Sequence, residues 1–213
     1  MTDLVVVYAD DALLILNKPA GLLSVPGRGE DKQDCLSRRA NQCYPDALVV
    51  HRLDMATSGL LVMARGQAAQ RSLNDAFALR QVHKRYEAVV HGLTATTLTD
   101  WQTIDLPITV DWPNRPLRII HATQGKPSQT RWMRLGDGPL HHTTRLALEP
   151  ITGRSHQLRV HLQAIGHAIL GDALYATPEV AALSERLLLH ACLLEFTHPL
   201  TQQTMRFASP TPF

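Results

Sequence analysis

The apolar residues of this chain come in short runs, such as Leu4 to Val7, Leu13 to Leu16 and Leu187 to Leu189, each closed by polar or turn-forming residues. Runs that short make strands or a single buried helical turn, and none approaches the roughly 18 residues that cross a bilayer. No membrane segment is expected. The 213 residues, 45% apolar and 19% charged, suit one domain over 1–213 with a full core, or at most two small lobes. Met1-Thr2-Asp3 opens with an acidic residue and no basic region before an apolar one, which points to the cytoplasm. Cys35, Cys43 and Cys192 are an odd count without C-x-x-C spacing, so reduced and mostly buried thiols are expected.

Leu4–Tyr8 and Leu13–Asn17 flank the turn cluster Ala9-Asp10-Asp11-Ala12 and read as a hairpin. A loop over Ser24–Asp31 leads to a short helix over Gln33–Cys43, stopped by Pro45. Leu48–Val50 and Gly59–Ala64 read as strands bracketing a polar segment, and Gln67–Leu79 reads as a helix with Leu73, Phe77 and Arg80 on one stripe. Tyr86–Val90, Thr130–Leu135, Thr143–Leu148, Leu187–Phe196 and Thr204–Ala208 are further strands, and Ser155–Ile165 is a helix ended by Gly166. Residues 92–127, rich in Thr, Pro and Trp, predict short strands and loops forming an insertion or second lobe. Strands and helices do not alternate as a doubly wound fold requires. The fold class predicted is α+β, with a mixed, mainly antiparallel sheet and flanking helices and loops.

Three polar constellations stand out. His51-Arg52-Leu53-Asp54, followed by Thr57-Ser58-Gly59, sets a carboxylate beside a cation and a hydroxyl-rich turn, which favours its charged form and suits a nucleophile or base. The plainer reading is an Asp that caps a turn. Ser58 lacks the first glycine of a nucleophile elbow and reads as structural. In the second, a turn at Gly153 delivers Arg154 to a helix N-terminus, where backbone N–H groups favour an anion, with His156, Arg159 and His161 close behind. In the third, Tyr86 follows Lys84 and Arg85 at the start of a strand. It is either a core aromatic or a platform for stacking a base.

The 11 histidines include no H-x-x-x-H pair, and no glycine-rich phosphate loop occurs, so a reaction without metal or cofactor is favoured. The net charge of +2 conceals two basic blocks: residues 51–91 hold six cations against three anions, and residues 115–161 hold eight against two. If they meet they form a face for a phosphate backbone; otherwise they are solvated surface.

The three constellations together resemble the RluA-like RNA pseudouridine synthases. His51 to Asp54 with Thr57 to Gly59 is similar to that family's signature, Lys84 to Ala88 to its tyrosine motif, and Gly153 to His161 to its arginine motif. Asn17 to Gly21, Gly166-His167, Gly171-Asp172 and Leu188 to Ala191 also match, so the likeness runs from about residue 5 to 210. Ser24 to Arg28 and Asp111 to Pro116 look most like a compact branch that modifies both 23S rRNA and the anticodon stem-loop of certain tRNAs. No S4-like RNA-binding domain is expected in addition.

The resemblance implies isomerisation of uridine to its C-glycoside, without cofactor, in a structured rRNA or tRNA stem-loop, by a monomer. The uridine has to be flipped out before its glycosidic bond can be reached. Asp54 would be the essential carboxylate, attacking or stabilising the sugar. Arg154 would pair with it, and Tyr86 would stack on the base. Arg52 would fill the space the base leaves and contact the backbone, and Leu189 would line the pocket. His51, Lys84, Arg115 and Arg159 would add substrate contacts. A non-catalytic RNA-binding protein would share the basic face without needing Asp54. A base-excising glycosidase would need a second carboxylate to activate water, and none sits in a comparable motif. Binding to RNA is expected to weaken steeply with added salt, because each neutralised phosphate releases counterions. Activity is expected to survive dialysis against EDTA; both are read by titrating affinity and turnover against salt and chelator.

Overall fold

The computed structural model describes residues 4–94 and 100–213. Among these, twelve strands and four α-helices form, and the chain divides into two compact units. One comprises residues up to Lys84 together with His190–Pro212, and the other comprises Arg85–Leu189 with Phe213.

In the first unit β1 (Val6–Ala9) and β2 (Leu13–Lys18) make the expected hairpin. Asp10 shapes its turn, its Oδ1 accepting the N–H of Ala12 at 2.8 Å and of Leu13 at 2.9 Å. Helix α1 (Leu36–Cys43) and strand β3 (Ala47–Val49) lead through the polar loop to β4 (Ser58–Arg65) and helix α2 (Gly66–Ala78). The helix ends with Gln81 N–H on the Ala76 carbonyl and Arg80 N–H on that of Phe77. Arg80 therefore lies beyond the helical stripe, in the left-handed conformation at φ 60° that such an ending demands.

β2 and β4 are buried on both faces, which is why they read as continuous apolar runs rather than as alternation. β4 pairs antiparallel with β2 and with β3, and parallel with β11 (Leu189–Thr197), which pairs antiparallel with β12 (Thr204–Ala208). Leu13, Ile15, Leu60, Val62, Leu73 and Phe196 lie in the core of this unit. Of the cysteines, Cys35 is buried, Cys192 is half-buried and Cys43 is exposed, so the expectation of mostly buried thiols fails at Cys43.

The second unit is built on an antiparallel order, β5 (His83–His91), β10 (Thr143–Pro150), β9 (Gln129–Asp137) and β6 (Gln102–Asp105). The described part of 92–127 supplies β6 to this sheet and forms a separate two-stranded hairpin, β7 (Ile108–Val110) with β8 (Arg118–Ile120). Residues 95–99 of that stretch lie outside the described residues. Helices α3 (Gln157–Ala164) and α4 (Pro178–Ala181) complete the unit. The parallel pairing of β4 with β11 beside antiparallel ones makes the sheet structure mixed, as the sequence predicts.

Ser58 and Gly59 join the polar loop to β4 where β11 runs alongside, with Ser58 opposite His190 and Gly59 opposite Ala191. Gly59 has φ 114°, and a β-carbon there would stand 2.3 Å from the carbonyl oxygen of Ala191. Only glycine allows that approach. Gly59→Ala is expected to cost at least about 2 kcal/mol of stability, combining backbone strain with a steric clash. The midpoint of urea unfolding measures the loss.

Candidate active site

The polar loop of the first unit is held from below by the segment that follows β2. The Nζ of Lys18, a fully buried side chain, donates to the carbonyls of Pro19 at 2.9 Å, Leu22 at 2.7 Å and Met55 at 3.0 Å. A buried ammonium is tolerated only when it is hydrogen-bonded in this way. The Met55 carbonyl also accepts the N–H of Gly21 at 2.9 Å. One residue before Asp54, Ser24 grips Leu53 twice: its hydroxyl donates to the Leu53 carbonyl at 2.7 Å and accepts the Leu53 N–H at 3.1 Å. Both chain neighbours of Asp54 are thus fixed, and the Asp54 carbonyl closes a turn by accepting the Thr57 N–H at 3.1 Å. Asp54 is half-buried at this turn, while Arg52 points into solvent.

The end of the loop is fixed by a polar chain. Ser58 Oγ lies 2.8 Å from Nδ1 of His190, whose Nε2 lies 3.1 Å from Ser209 Oγ, which accepts from Asn17 Nδ2 at 3.0 Å. Ser58 is buried in this chain, in agreement with its structural reading.

The His51 side chain is turned toward helix α2 and strand β4. Its ring stacks on Phe77 with centroids 4.5 Å apart, and its Nε2 accepts the N–H of Val62 at 3.0 Å. Burial, and secondarily the Lys84 charge, pushes the imidazole down to about 3, so it stays neutral as an acceptor. Lys84 is drawn to the same aromatic, with its Nζ 5.9 Å from the Phe77 centroid, and burial lowers its ammonium below the ordinary lysine range. Its position is half-buried rather than freely presented.

In the second unit Tyr86 stands half-buried on β5, opposite Leu148 of β10, which in turn faces Trp132 of β9. The preceding cation, Arg85, falls on the other face by strand alternation. There it bonds Glu149 at 2.8 Å, shares that buried carboxylate with Arg131 at 3.4 Å, and both guanidinium groups lie over Trp101. Leu189, the first residue of β11, is buried.

The arginine motif departs from its sequence reading. Arg154 is not on the first helical turn, because His156 caps α3 in the left-handed conformation and the helix starts only at Gln157. The turn is held instead by the buried Gln157 side chain. Its Oε1 accepts the Arg154 N–H at 3.0 Å and the Thr152 hydroxyl at 2.7 Å, while its Nε2 donates to the Gln129 carbonyl at 2.8 Å and to Thr130 Oγ1 at 3.0 Å. Thr130 Oγ1 also lies 2.9 Å from His161 Nδ1, whose Nε2 reaches the Leu106 carbonyl at 2.9 Å. Fully buried, His161 has its pKa lowered by desolvation. Arg154 itself is exposed, its guanidinium 3.4 Å from the Pro127 carbonyl.

Arg159 is 4% exposed and forks onto Asp172 through bonds of 2.8 and 2.6 Å. Asp172 also accepts the N–H groups of Leu174 and Tyr175, and Tyr175 Oη lies 2.6 Å from His156 Nδ1. Arg115 is exposed at the tip of the β7–β8 hairpin. Asp54, Arg52, His51 and Lys84 belong to the first unit, and Tyr86, Arg115, Arg154, Arg159 and Leu189 to the second. Lys18, Ser24, Gln157, Asp172 and Tyr175 emerge as supports to which the sequence reading gave no role. Lys18, Ser24, Gln157 and Asp172 fall in stretches that resemble the family, but nothing local marked their partners.

The model of the RNA pseudouridylate synthase family matches residues 12–164. The dual-specificity RNA pseudouridine synthase RluA of Escherichia coli strain K12 is 48% identical over 210 residues, covering 99% of this chain and 94% of that protein. Its counterpart in Vibrio parahaemolyticus is 49% identical over 199 residues, covering 91% and 78%. Among solved structures, human RNA pseudouridylate synthase domain containing 1 superposes with a TM-score of 0.81 at 30% identity, over 99% of this chain and 84% of that one. Human RNA pseudouridylate synthase domain containing 4, at 23% identity and a TM-score of 0.75, shares the fold. Identity near one half, sustained over 99% of the residues, leaves neither unit outside the likeness; the chain belongs to the RluA-like RNA pseudouridine synthases and isomerises uridine to pseudouridine within RNA.

Proposed function

We propose that the substrates are specific uridines in structured stem-loops, in 23S rRNA, in the anticodon arm of tRNA or in both, and that Asp54 is the essential carboxylate. The observation that carries this reading is the clamping of Asp54 through its neighbours, Leu53 by Ser24 and Met55 by Lys18 and Gly21. A loop carboxylate held on both sides is placed as a reacting group has to be, since small misplacements cost large factors in rate. The bacterial relatives are dual-specificity RNA pseudouridine synthases, which supports more than one RNA target.

In the proposed reaction the uridine is flipped from its loop. As the bond from N1 to C1′ breaks, positive charge develops at C1′, and the Asp54 carboxylate meets it by bonding or ion pairing. The detached uracil keeps the bond's electron pair at N1 and turns, C5 bonds to C1′ as the carboxylate lets go, and the C5 proton is lost while N1 gains one, so that the product is an isomer of the substrate. Arg154 holds the charge and rotamer of Asp54, Tyr86 stacks on the base, and Leu189 lines the pocket that keeps water from hydrolysing the intermediate. Arg52 fills the gap in the RNA and contacts its backbone. Arg159 acts indirectly, as the buried partner of Asp172. The protein acts as a cytoplasmic monomer with a single catalytic domain over 1–213 and without a cofactor.

Asp54→Asn is nearly isosteric, so the variant is expected to fold and to bind RNA while releasing no tritium from stem-loops labelled at uridine C5. Substantial release by the variant would remove Asp54 from the chemistry. Ser24→Ala deletes both hydrogen bonds to Leu53 and leaves the RNA-facing side chains in place. It is expected to lower kcat roughly ten- to a hundredfold with a smaller change in KM. Steady-state tritium release separates the two constants.

A further inference from the structure

The β7–β8 hairpin presents a side chain that packing does not explain. Trp112 is 66% exposed, and among the described residues it is the one aromatic with a largely exposed side chain. Its ring is not left to wander: the Arg115 guanidinium lies over it, 4.9 Å from the centroid. The tip that carries both is stapled three times. Asn114 Nδ2 donates to Asp111 Oδ2 at 3.0 Å, Asp111 N–H to the Leu117 carbonyl at 3.1 Å, and Leu117 N–H to the Asn114 carbonyl at 3.0 Å. Where β8 leaves the tip the Arg118 N–H donates to Tyr175 Oη at 2.9 Å, anchoring the strand to a residue outside the hairpin.

A large indole held out on a fixed tip pays little conformational entropy on binding and offers a flat π-face. The charge around it selects the ligand. Arg115 lies over its ring and Arg118 opens the strand that leaves the tip, while the tip's carboxylate, Asp111, accepts from Asn114. A flat partner carried on a polyanion is an unpaired base in an RNA strand. We propose that Trp112 is a stacking platform for an unpaired base of the substrate RNA other than the isomerised uridine, with Arg115 bracing the ring and meeting the adjoining phosphate. The inference rests on the stem-loop substrates proposed above and adds a second point of recognition, which selects among loops.

The test uses tRNA anticodon stem-loops and 23S rRNA stem-loops with the full-length protein. Because Trp112 is solvent-exposed, Trp112→Ala and Trp112→Phe leave the core untouched. Trp112→Ala is expected to raise Kd and KM roughly ten- to a hundredfold, with a smaller effect on kcat, and Trp112→Phe to retain most of the affinity. RNA should quench tryptophan fluorescence in the wild type more than in Trp112→Phe. Replacing loop nucleotides one at a time by abasic sites should reveal one position whose loss weakens the wild type but not Trp112→Ala. Equal Kd and KM for wild type and Trp112→Ala, or the absence of any such position, overturns the platform. If wild type releases no tritium from these RNAs, the substrate assignment fails instead, and the quenching and abasic titrations still decide the role of Trp112.

Discussion

The buried charge of Lys18 is the constraint around which the first unit is arranged. An ammonium with no exposure to water has to be solvated by the protein, and the carbonyls of Pro19, Leu22 and Met55 do so. Those carbonyls come from two separate stretches of chain, so one side chain sets how the segment after β2 lies against the loop carrying Asp54. Ser24, two residues beyond Leu22, adds a second tie. A surface lysine could not do this, because its charge would be satisfied by water in any loop conformation.

The second unit solves a similar problem without a buried cation of the same kind. Gln157 has one acceptor and one amide donor group, and each serves two partners, the acceptor in the Thr152–Arg154 turn and the donor at Gln129 and Thr130 of β9. Replacing the usual hydroxyl cap, it shapes the turn of Arg154, while the left-handed His156 separates that turn from α3. Farther along the helix Arg159, Asp172 and Tyr175 form a buried relay that reaches back to His156 and out to β8. Networks of this type are stable only when every member is satisfied, and they specify one arrangement when they are.

Much of this was legible beforehand. Continuous apolar runs marked β2 and β4, turn residues marked the first hairpin, and the loop, tyrosine and arginine motifs were visible as local clusters. What stayed illegible was direction and partnership. Nothing local says that His51 turns toward Phe77 and Val62, since a loop histidine beside an arginine reads equally well as a ligand contact. Arg159 looked like part of a basic crowd because its partner, Asp172, lies thirteen residues away and carries no periodic signal. Gln157 looked like one more polar helix residue, because its role depends on strand β9. The helix-start rule misplaced Arg154 because a left-handed residue other than glycine at the cap breaks the pattern on which the rule depends.

The parallel pairing of β4 with β11 bears on how the protein is made. Ser58 and its partner His190 are 132 residues apart, and the first unit is assembled from both ends of the chain. A ribosome that has finished Asp54 has therefore not yet made the strand against which Ser58 and Gly59 close. Contacts so distant in sequence form slowly and late. The second unit, by contrast, draws all but its last residue from one uninterrupted stretch and can condense while translation continues. A chain truncated before residue 190 therefore carries Asp54 on a loop without the strand that closes it.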